Sequence, residues 1–457
     1  MSSPMLSPQS SHYRVRIAVI RLSHRISLAA LIGTLAFSTL STLSINARAA
    51  ENPLTLADAQ QLAIERSRQL AAQDFAITAA REMAVAAGQL PDPVLNIGVS
   101  NLPISGPNGF SLTNEAMTTR RIGLMQKITR ADKRQLRADR FEREAEKTFT
   151  EKNMTAAAIE RDTALAWIDR YYAEAMAAVV AEQGEQARLE IESSEGAYRA
   201  GRGNQAKVFA ARSALAAFDN RSSEAQRRVR NAKTMLARWI GSAADVPLAG
   251  KPATDSIRLD PAALDTRLTQ LPEVAVFDMR EKIAATEVKL AQANKKSDWS
   301  VEFAFQQRGP SYANQVSFGV SIPLQWDQKN RQDRELSAKL ALVEQARAER
   351  DEMLRSYVAK TRNMINDWEN NRERHARFER ELIPLANART DAALTAYRGG
   401  KASLVEVLSA RSNEIDVRIQ ALQLATDTDR LWAQINFLFP ADATVAHAAL
   451  NSNQDVK

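Results

Sequence analysis

The 457-residue sequence predicts a mainly α chain carrying a small membrane β component, built as an internal two-fold repeat. Three observations predict it. Glycine (16) and proline (15) are scarce while alanine, glutamate, arginine and leucine dominate, a composition that favours long helices. The chain repeats a motif at a helix break. Four short runs alternate apolar and polar residues with the period of a strand.

The composition and the N-terminal segment bound the class. Residues 1–49 carry Arg14, Arg16, Arg21, Arg25 and Arg48 with no acid, and the apolar stretch Ile26–Ile45 leads to Ala47-Arg48-Ala49. That order predicts a secretory signal peptide over 1–49, cleaved after Ala49. The net charge of +7 then falls nearly to balance, with 56 basic against 54 acidic residues. Bases alternate with acids along the helices, so no basic patch is expected and nucleic acid is excluded as a partner. Cysteine is absent, which removes disulfides, thiol catalysis, thiolate metal sites and a lipidated N-terminal cysteine. After residue 50 no apolar run approaches the ~18–20 residues of a membrane helix.

The repeat sets the domain plan. AYRAGRGNQAKVFAARS (197–213) aligns without a gap to AYRGGKASLVEVLSARS (396–412), with eight identities in seventeen positions. The first repeat is placed at 50–245, a linker at 246–262, the second repeat at 263–440 and a C-terminal tail at 441–457. Each repeat is expected to run through a first helix (Leu56–Leu90 or Ala263–Lys295), two strands, a very long helix, a tight break and a return helix. The long helices are expected over Asp132–Ala197 and Asp333–Tyr397, each reaching on the order of 100 Å at ~1.5 Å per residue.

In the second long helix, Leu336, Leu340, Val343, Arg347, Arg350, Leu354, Tyr357, Thr361, Met364, Trp368, Arg372, His375, Phe378 and Leu382 form a heptad-like seam broken by arginines. Pro384 should kink or interrupt it, and Gly184 occupies nearly the equivalent place in the first repeat. His375 on this seam is expected to pack rather than to ligate.

The strands are expected at Val94–Leu102, Arg120–Thr129, Trp299–Arg308 and Asn314–Trp326. In the last, Val316, Phe318, Val320, Ile322 and Leu324 share one face, and Ser317, Gly319, Ser321 and Gln325 the other. Alternation over about ten residues suits a membrane strand with one face in lipid, so Val316, Phe318, Val320 and Ile322 are the expected lipid-facing residues. Trp299 and Trp326 are expected at strand ends, where an interfacial aromatic belt would put them. A lipid-embedded sheet must close into a barrel. Four strands cannot, two copies give eight strands with a filled interior, and three give twelve with an open lumen. The expected assembly is therefore a homotrimer.

The plan and its motifs resemble the TolC-like outer-membrane factors over about 55–440. The resemblance is carried by LTLADAQQLAIERS, AAGQLPDPVLNIGVSNLP, VSFGVSIPLQW and the two AYRxG breaks. It implies a three-fold duct, a twelve-stranded β-barrel (four strands per chain) continuous with a long periplasmic α-helical barrel, set in outer-membrane lipid. It also implies docking on a periplasmic adaptor (membrane fusion protein) and an inner-membrane pump. The stretch PDPVLNIGVSNLPISGPNGFSLTNEAMTTRRIGLMQ is similar to the subgroup encoded beside resistance-nodulation-division pumps for copper and silver or cobalt, zinc and cadmium.

In the family the helix breaks form the periplasmic tip, where the channel is gated and the adaptor docks. Carried over, that tip comprises Tyr198, Arg199, Gly201 and Lys207 with Tyr397, Arg398, Gly400 and Glu406. Gly201 and Gly400 fit turns that need φ > 0. Glu406 occupies the position of the family's acidic constriction; Lys207 departs from it.

No catalytic constellation, P-loop or H-E-x-x-H is present, so no cofactor, no metal site and no enzyme activity is expected. A periplasmic coiled-coil adaptor or scaffold without a barrel remains the alternative, since it would share the helices and the export signal.

Overall fold

The computed structural model describes residues 52–201 and 205–440, excepting the side chains of Ser194, Ala197 and Lys207. The expected signal peptide and the C-terminal tail lie outside the described residues. Long helices make up most of the described chain, so the breaks between them decide where each element sits.

The expected first helix is two helices. Helix α1 (Leu56–Arg66) starts on a capping box, in which the Thr55 hydroxyl accepts from Asp58 N and the Asp58 carboxylate accepts from Thr55 N. It stops at Ser67, whose hydroxyl accepts from Leu70 N to start α2 (Arg68–Gly88). A serine oxygen that satisfies an orphan helix-start amide makes a break as readily as it tolerates a helix interior. Pro91 and Pro93 then hold the chain extended into strand β1 (Val94–Ser100).

Strand β2 (Thr119–Ile128) leads straight into α3 (Ala131–Arg199), a single helix of 69 residues that runs through Gly184 without a break. At ~1.5 Å per residue it spans about 100 Å. The return helix α4 (Gln205–Ile240) packs against its far part, with Arg188–Asp219 and Arg212–Glu195 ion pairs across the seam. Helix α2 packs on the part of α3 nearest the sheet, where Lys152 pairs with Asp74 and Arg134 donates to Gly88 O.

The second half follows the same element order. The expected helix 263–295 is divided into α5 (Leu264–Leu268) and α6 (Pro272–Asn294), because Pro272 can only open a helix. Strands β3 (Trp299–Gln307) and β4 (Gln315–Ser321) follow. Ile322–Trp326 is outside β4, so Trp326 stands five residues past the strand end. The second long helix is α7 (Gln332–Arg377), a π-turn at Phe378–Leu382, and α8 (Ile383–Arg398). Pro384 has no amide proton to give to the carbonyl one turn back, and the wider turn just before it absorbs the mismatch. Helix α9 (Leu404–Asn436) returns.

Two of the three arginines in the α7 seam have partners on α6, and the third, Arg372, lies over the Trp368 ring of its own helix at 4.5 Å. Arg347 Nε and Arg350 Nη1 each donate to Glu281, both at 2.7 Å. The main core gathers where the 241–271 segment wraps the helices, around Trp167, Ile168, Leu236, Leu264, Leu268, Leu271 and Ile435. Side chains pin that segment: Arg170 donates to Ala244 O, Trp432 to Ser256 O, and Lys251 pairs with Asp429. Asp429 also accepts from the Tyr172 hydroxyl at 2.6 Å, and burial with this carboxylate pushes the Tyr172 phenol up. A smaller core near the helix turns holds Val180, Ile191, Phe218, Val407 and Ile415.

Candidate functional site: the sheet and the helix turns

The four strands form one antiparallel sheet in the order β1-β2-β3-β4. Two hairpins, one from each half, meet where β2 pairs with β3, with Ile122 opposite Phe305 and Leu124 opposite Phe303. Among the described residues, the outward edges of β1 and β4 have no strand beside them. Register places Leu95 and Ile97 on β1, Ile122 and Leu124 on β2, Phe303 and Phe305 on β3, and Val316 and Phe318 on β4 in adjacent rows of one face. That face is turned to the exterior. Val316, Phe318 and Val320 are 62%, 71% and 51% exposed, against almost nothing for the side chains of the helical core. Ile322 and Leu324 prolong the exposed apolar line past the strand, and Trp326 is 88% exposed. Trp299, by contrast, opens β3 as expected.

The opposite face is polar. Glu302 accepts from Arg121 at 2.7 Å and from Asn96 at 3.3 Å, and Gln306 donates to Ser317. Arg121, Gly123, Met125 and Lys127 alternate with Ile122, Leu124 and Gln126 along β2, a pattern present in the sequence but fainter than those of β3 and β4. At the far end of the sheet Arg308 donates to Ala116 O and lies 4.9 Å from the Tyr312 ring, fastening the 101–118 loop to the 308–314 loop. At the helix end, Lys133 is buried against Asp298 at 3.0 Å, which ties the start of α3 to the start of β3.

The two helix turns sit at the other extremity of α3. Gly201 and Gly400 have φ of +74° and +72°. Around Gly400 the closing bonds run from Gly400 N to Tyr397 O and from Lys401 N to Ala396 O, the paired bonds of a glycine-terminated helix end. Gly201 N donates likewise to Tyr198 O. Tyr397 is half-buried against the smaller core, whereas Tyr198, Arg199 and Arg398 are exposed. Glu406 caps its own helix. It is the third residue of α9, and its carboxylate accepts from Ser403 N while Ser403 Oγ accepts from Glu406 N. The Lys207 side chain lies outside the described residues, and with it the expected pairing of Lys207 with Glu406.

One polar cluster near the turns had no sequence signal. Arg411, Gln183 and Glu414 are buried between α3 and α9, with Glu190 half-buried beside them. Arg411 donates to Glu190 at 3.1 Å and to Gln183 at 3.0 Å, and Gln183 donates to Glu414 at 3.2 Å. His375 is half-buried 3.6 Å from Glu379 on the following turn. Among the described residues no group of three or more histidines, aspartates or glutamates could hold a metal ion, and no helix is long and apolar enough to cross a membrane.

No protein-family model and no curated protein matches the sequence. Solved structures do match, and they define the fold class: the fold is shared with solved outer-membrane channels. The outer-membrane channel OprN superposes with a TM-score of 0.69 at 17% identity, covering 84% of this chain and 89% of its own. CusC, described in connection with transmembrane channel formation, gives 0.71 at 15% identity over 84% and 92% of the two chains. The Campylobacter jejuni CmeC outer membrane channel gives 0.70 at 11% identity over 84% and 85%.

Proposed function

We propose that the chain is one subunit of a homotrimeric outer-membrane channel, the passive exit duct of a tripartite efflux system, and that it performs no catalysis. One observation carries this reading: a four-stranded antiparallel sheet with a continuous exposed apolar face, a polar reverse and two unpaired edges. Open edges leave backbone groups unsatisfied in hydrocarbon, and an apolar face of this extent is costly in water. Three copies joined edge to edge, β4 to β1, remove both problems and leave a lumen lined by Arg121, Glu302, Gln306 and Ser317. The fold shared with solved outer-membrane channels supports the same reading.

The finer assignments rest on the sequence. The two AYRxG breaks support a duplicated plan, with repeats over 50–245 and 263–440, and a periplasmic gate and adaptor-docking tip at Tyr198–Lys207 and Tyr397–Glu406. Resemblance of the first hairpin supports heavy-metal cations as cargo, delivered by a resistance-nodulation-division pump and its adaptor. Three copies of Glu406 around one axis would attract cations and disfavour anions in a narrow opening, and Lys207 could offset them.

The test is fractionation with crosslinking, then conductance. The reading expects processing after Ala49, a crosslinked trimer in the outer-membrane fraction, and open channels in planar bilayers whose cation preference falls in Glu406→Gln. A soluble periplasmic monomer would instead favour a coiled-coil adaptor or scaffold without a barrel.

A further inference from the structure

The exposed apolar face of the sheet has one charged exception. Strand alternation puts Arg120 on the same side as Ile122 and Leu124, beside Val99 of β1 and Gln307 of β3. Among the described residues it is the one charged side chain at a paired position of that face. Gln126 and Gln307 are polar residues on the same side.

The chain itself satisfies Gln126, whose amide donates to Pro91 O at 2.8 Å and to Lys127 O at 3.0 Å. It does not satisfy Arg120. Nη2 donates to Arg308 O at 3.2 Å, while Nε is enclosed with no acceptor. Among the described residues no carboxylate pairs with this guanidinium, and Nη1 has no partner. The two loops at this end of the sheet, 101–118 and 308–314, hold one acid, Glu115, which accepts from Asn108. Gln307 is exposed, and its amide makes no hydrogen bond among the described residues. A lone charge facing hydrocarbon is costly near the middle of a bilayer and tolerated at its edges, where an anion from outside the chain can pair with it.

The position of Arg120 along the strand is that of an edge. Arg120 and Ile128 are eight residues apart, about 27 Å of strand. At a tilt of about 40° this covers roughly 20 Å of depth, against an apolar band of about 25 Å. Ile128 pairs with Trp299 at the helix end, so Arg120 and Trp299 stand at opposite borders of the band. A neighbouring copy leaves Arg120 and Gln307 uncovered. They lie on the two central strands, and edge pairing of β4 with β1 runs in the plane of the sheet.

We propose that Arg120 and Gln307 hold the phosphate of a phosphorylated glycolipid headgroup in the outer leaflet, one lipid per chain. The proposal rests on the membrane reading above, which puts the helices in the periplasm and the loop end of the sheet at the opposite leaflet. Guanidinium matches phosphate in charge and in the geometry of its donors, and the Gln307 amide adds a donor beside it. Ile122 and Phe305 occupy the same face one row deeper, where acyl chains run. A cation at headgroup level directly above an apolar row suits an amphiphile and not a free phosphate ion.

The test titrates the mature trimer, purified and stripped of lipid in detergent, with bisphosphorylated lipid A, and counts bound lipid by native mass spectrometry. Three lipids per parent trimer are expected. R120Q should lower the affinity by about tenfold and Q307L by about twofold, while R120K should recover most of the R120Q loss. R121Q removes the same charge one residue away, on the opposite face, and should bind lipid like the parent. Dephosphorylated lipid A should bind the parent no better than the intact lipid binds R120Q. Equal losses in R120Q and R121Q would show a general charge effect and overturn the proposal. So would R120Q binding like the parent, indifference to dephosphorylation, or equal affinity for phosphatidylglycerol. The same spectra separate the two readings: a parent that forms no trimer would sink the membrane reading and this one with it, whereas a parent trimer that takes up no lipid A would sink this one alone.

Discussion

The sheet and the helical body treat apolar side chains in opposite ways. In the body, Trp167 is 1% exposed and its indole N–H is spent on Leu54 O. Its neighbours Ile168, Leu236 and Leu268 are equally enclosed, so a single chain completes this core. In the sheet, Phe318, Phe303 and Ile97 project outward while Arg121, Lys127 and Glu302 turn the other way. Burial by one's own chain is the signature of a body solvated by water. Apolar residues outside and a polar interior are what a hydrocarbon environment selects. On the proposed reading, the boundary between two solvents falls near Lys133 and Asp298, where strands become helices.

The largest effect that would sharpen this contrast is in the body. Trp167→Ala should destabilise the helical region by about 3–5 kcal/mol, read as loss of the helical melting transition, while Phe318→Ala should leave that transition where it is. Equal losses from both would remove the distinction. The next probe lies within the sheet. Phe318→Arg or Val320→Arg should cost roughly 2–4 kcal/mol in lipid if the site is near mid-bilayer, and Ser317→Arg or Ser321→Arg distinctly less. Refolding into vesicles measures both, and similar costs on the two faces would mean an ordinary soluble sheet.

A smaller effect is expected at the helix turn. Gly400→Ala puts a Cβ into the left-handed conformation and should cost about 1–2 kcal/mol. Open space around the position rules out a steric clash, so Gly400→Asn should recover part of the loss in thermal melts. The smallest concerns Glu273, the second residue of α6. Burial pushes its carboxyl up, only partly countered by its own backbone amide, Arg161 and Lys360, and one of its oxygens has no hydrogen-bond partner. A raised carboxylate pKa means that ionisation opposes folding, so the penalty is absent below the unfolded value of about 4.3 and grows above it. Glu273→Gln should therefore raise the melting temperature slightly at pH 7.5 and leave it unchanged at pH 4; a drop at pH 7.5 would show the carboxylate to be stabilising.

Periodicity is enough for the strands, the long helices and the glycine turns, because each rests on a local rule. Alternation locates β3 and β4 to within a few residues, though it continues through Ile322–Trp326 after strand pairing has ended. Ser67 gives no such signal, because a serine between two helical stretches makes the same pattern whether it is interior or cap. The seam in α7 looks continuous to Leu382 for a related reason: the π-turn adds one residue to a turn, which a repeat of three and four spacings absorbs unnoticed. The Arg411 cluster is invisible in the sequence because Arg411 and Glu414 lie on α9 and their partners Glu190 and Gln183 on α3, far away along the chain.

The unpaired edges of β1 and β4 have a consequence in time. A lone chain can finish its helical body by itself, in a step whose rate does not depend on how many copies are present. Among the described residues it has no strand with which to finish its sheet. On the proposed reading, the last backbone hydrogen bonds form only on encounter, so completion is concentration-dependent and comes after the helices are in place. Until that encounter each chain carries two adhesive edges beside an apolar face, a combination prone to indiscriminate pairing. Overproduction faster than insertion should therefore yield aggregates whose helices are native and whose strands are joined to the wrong neighbours.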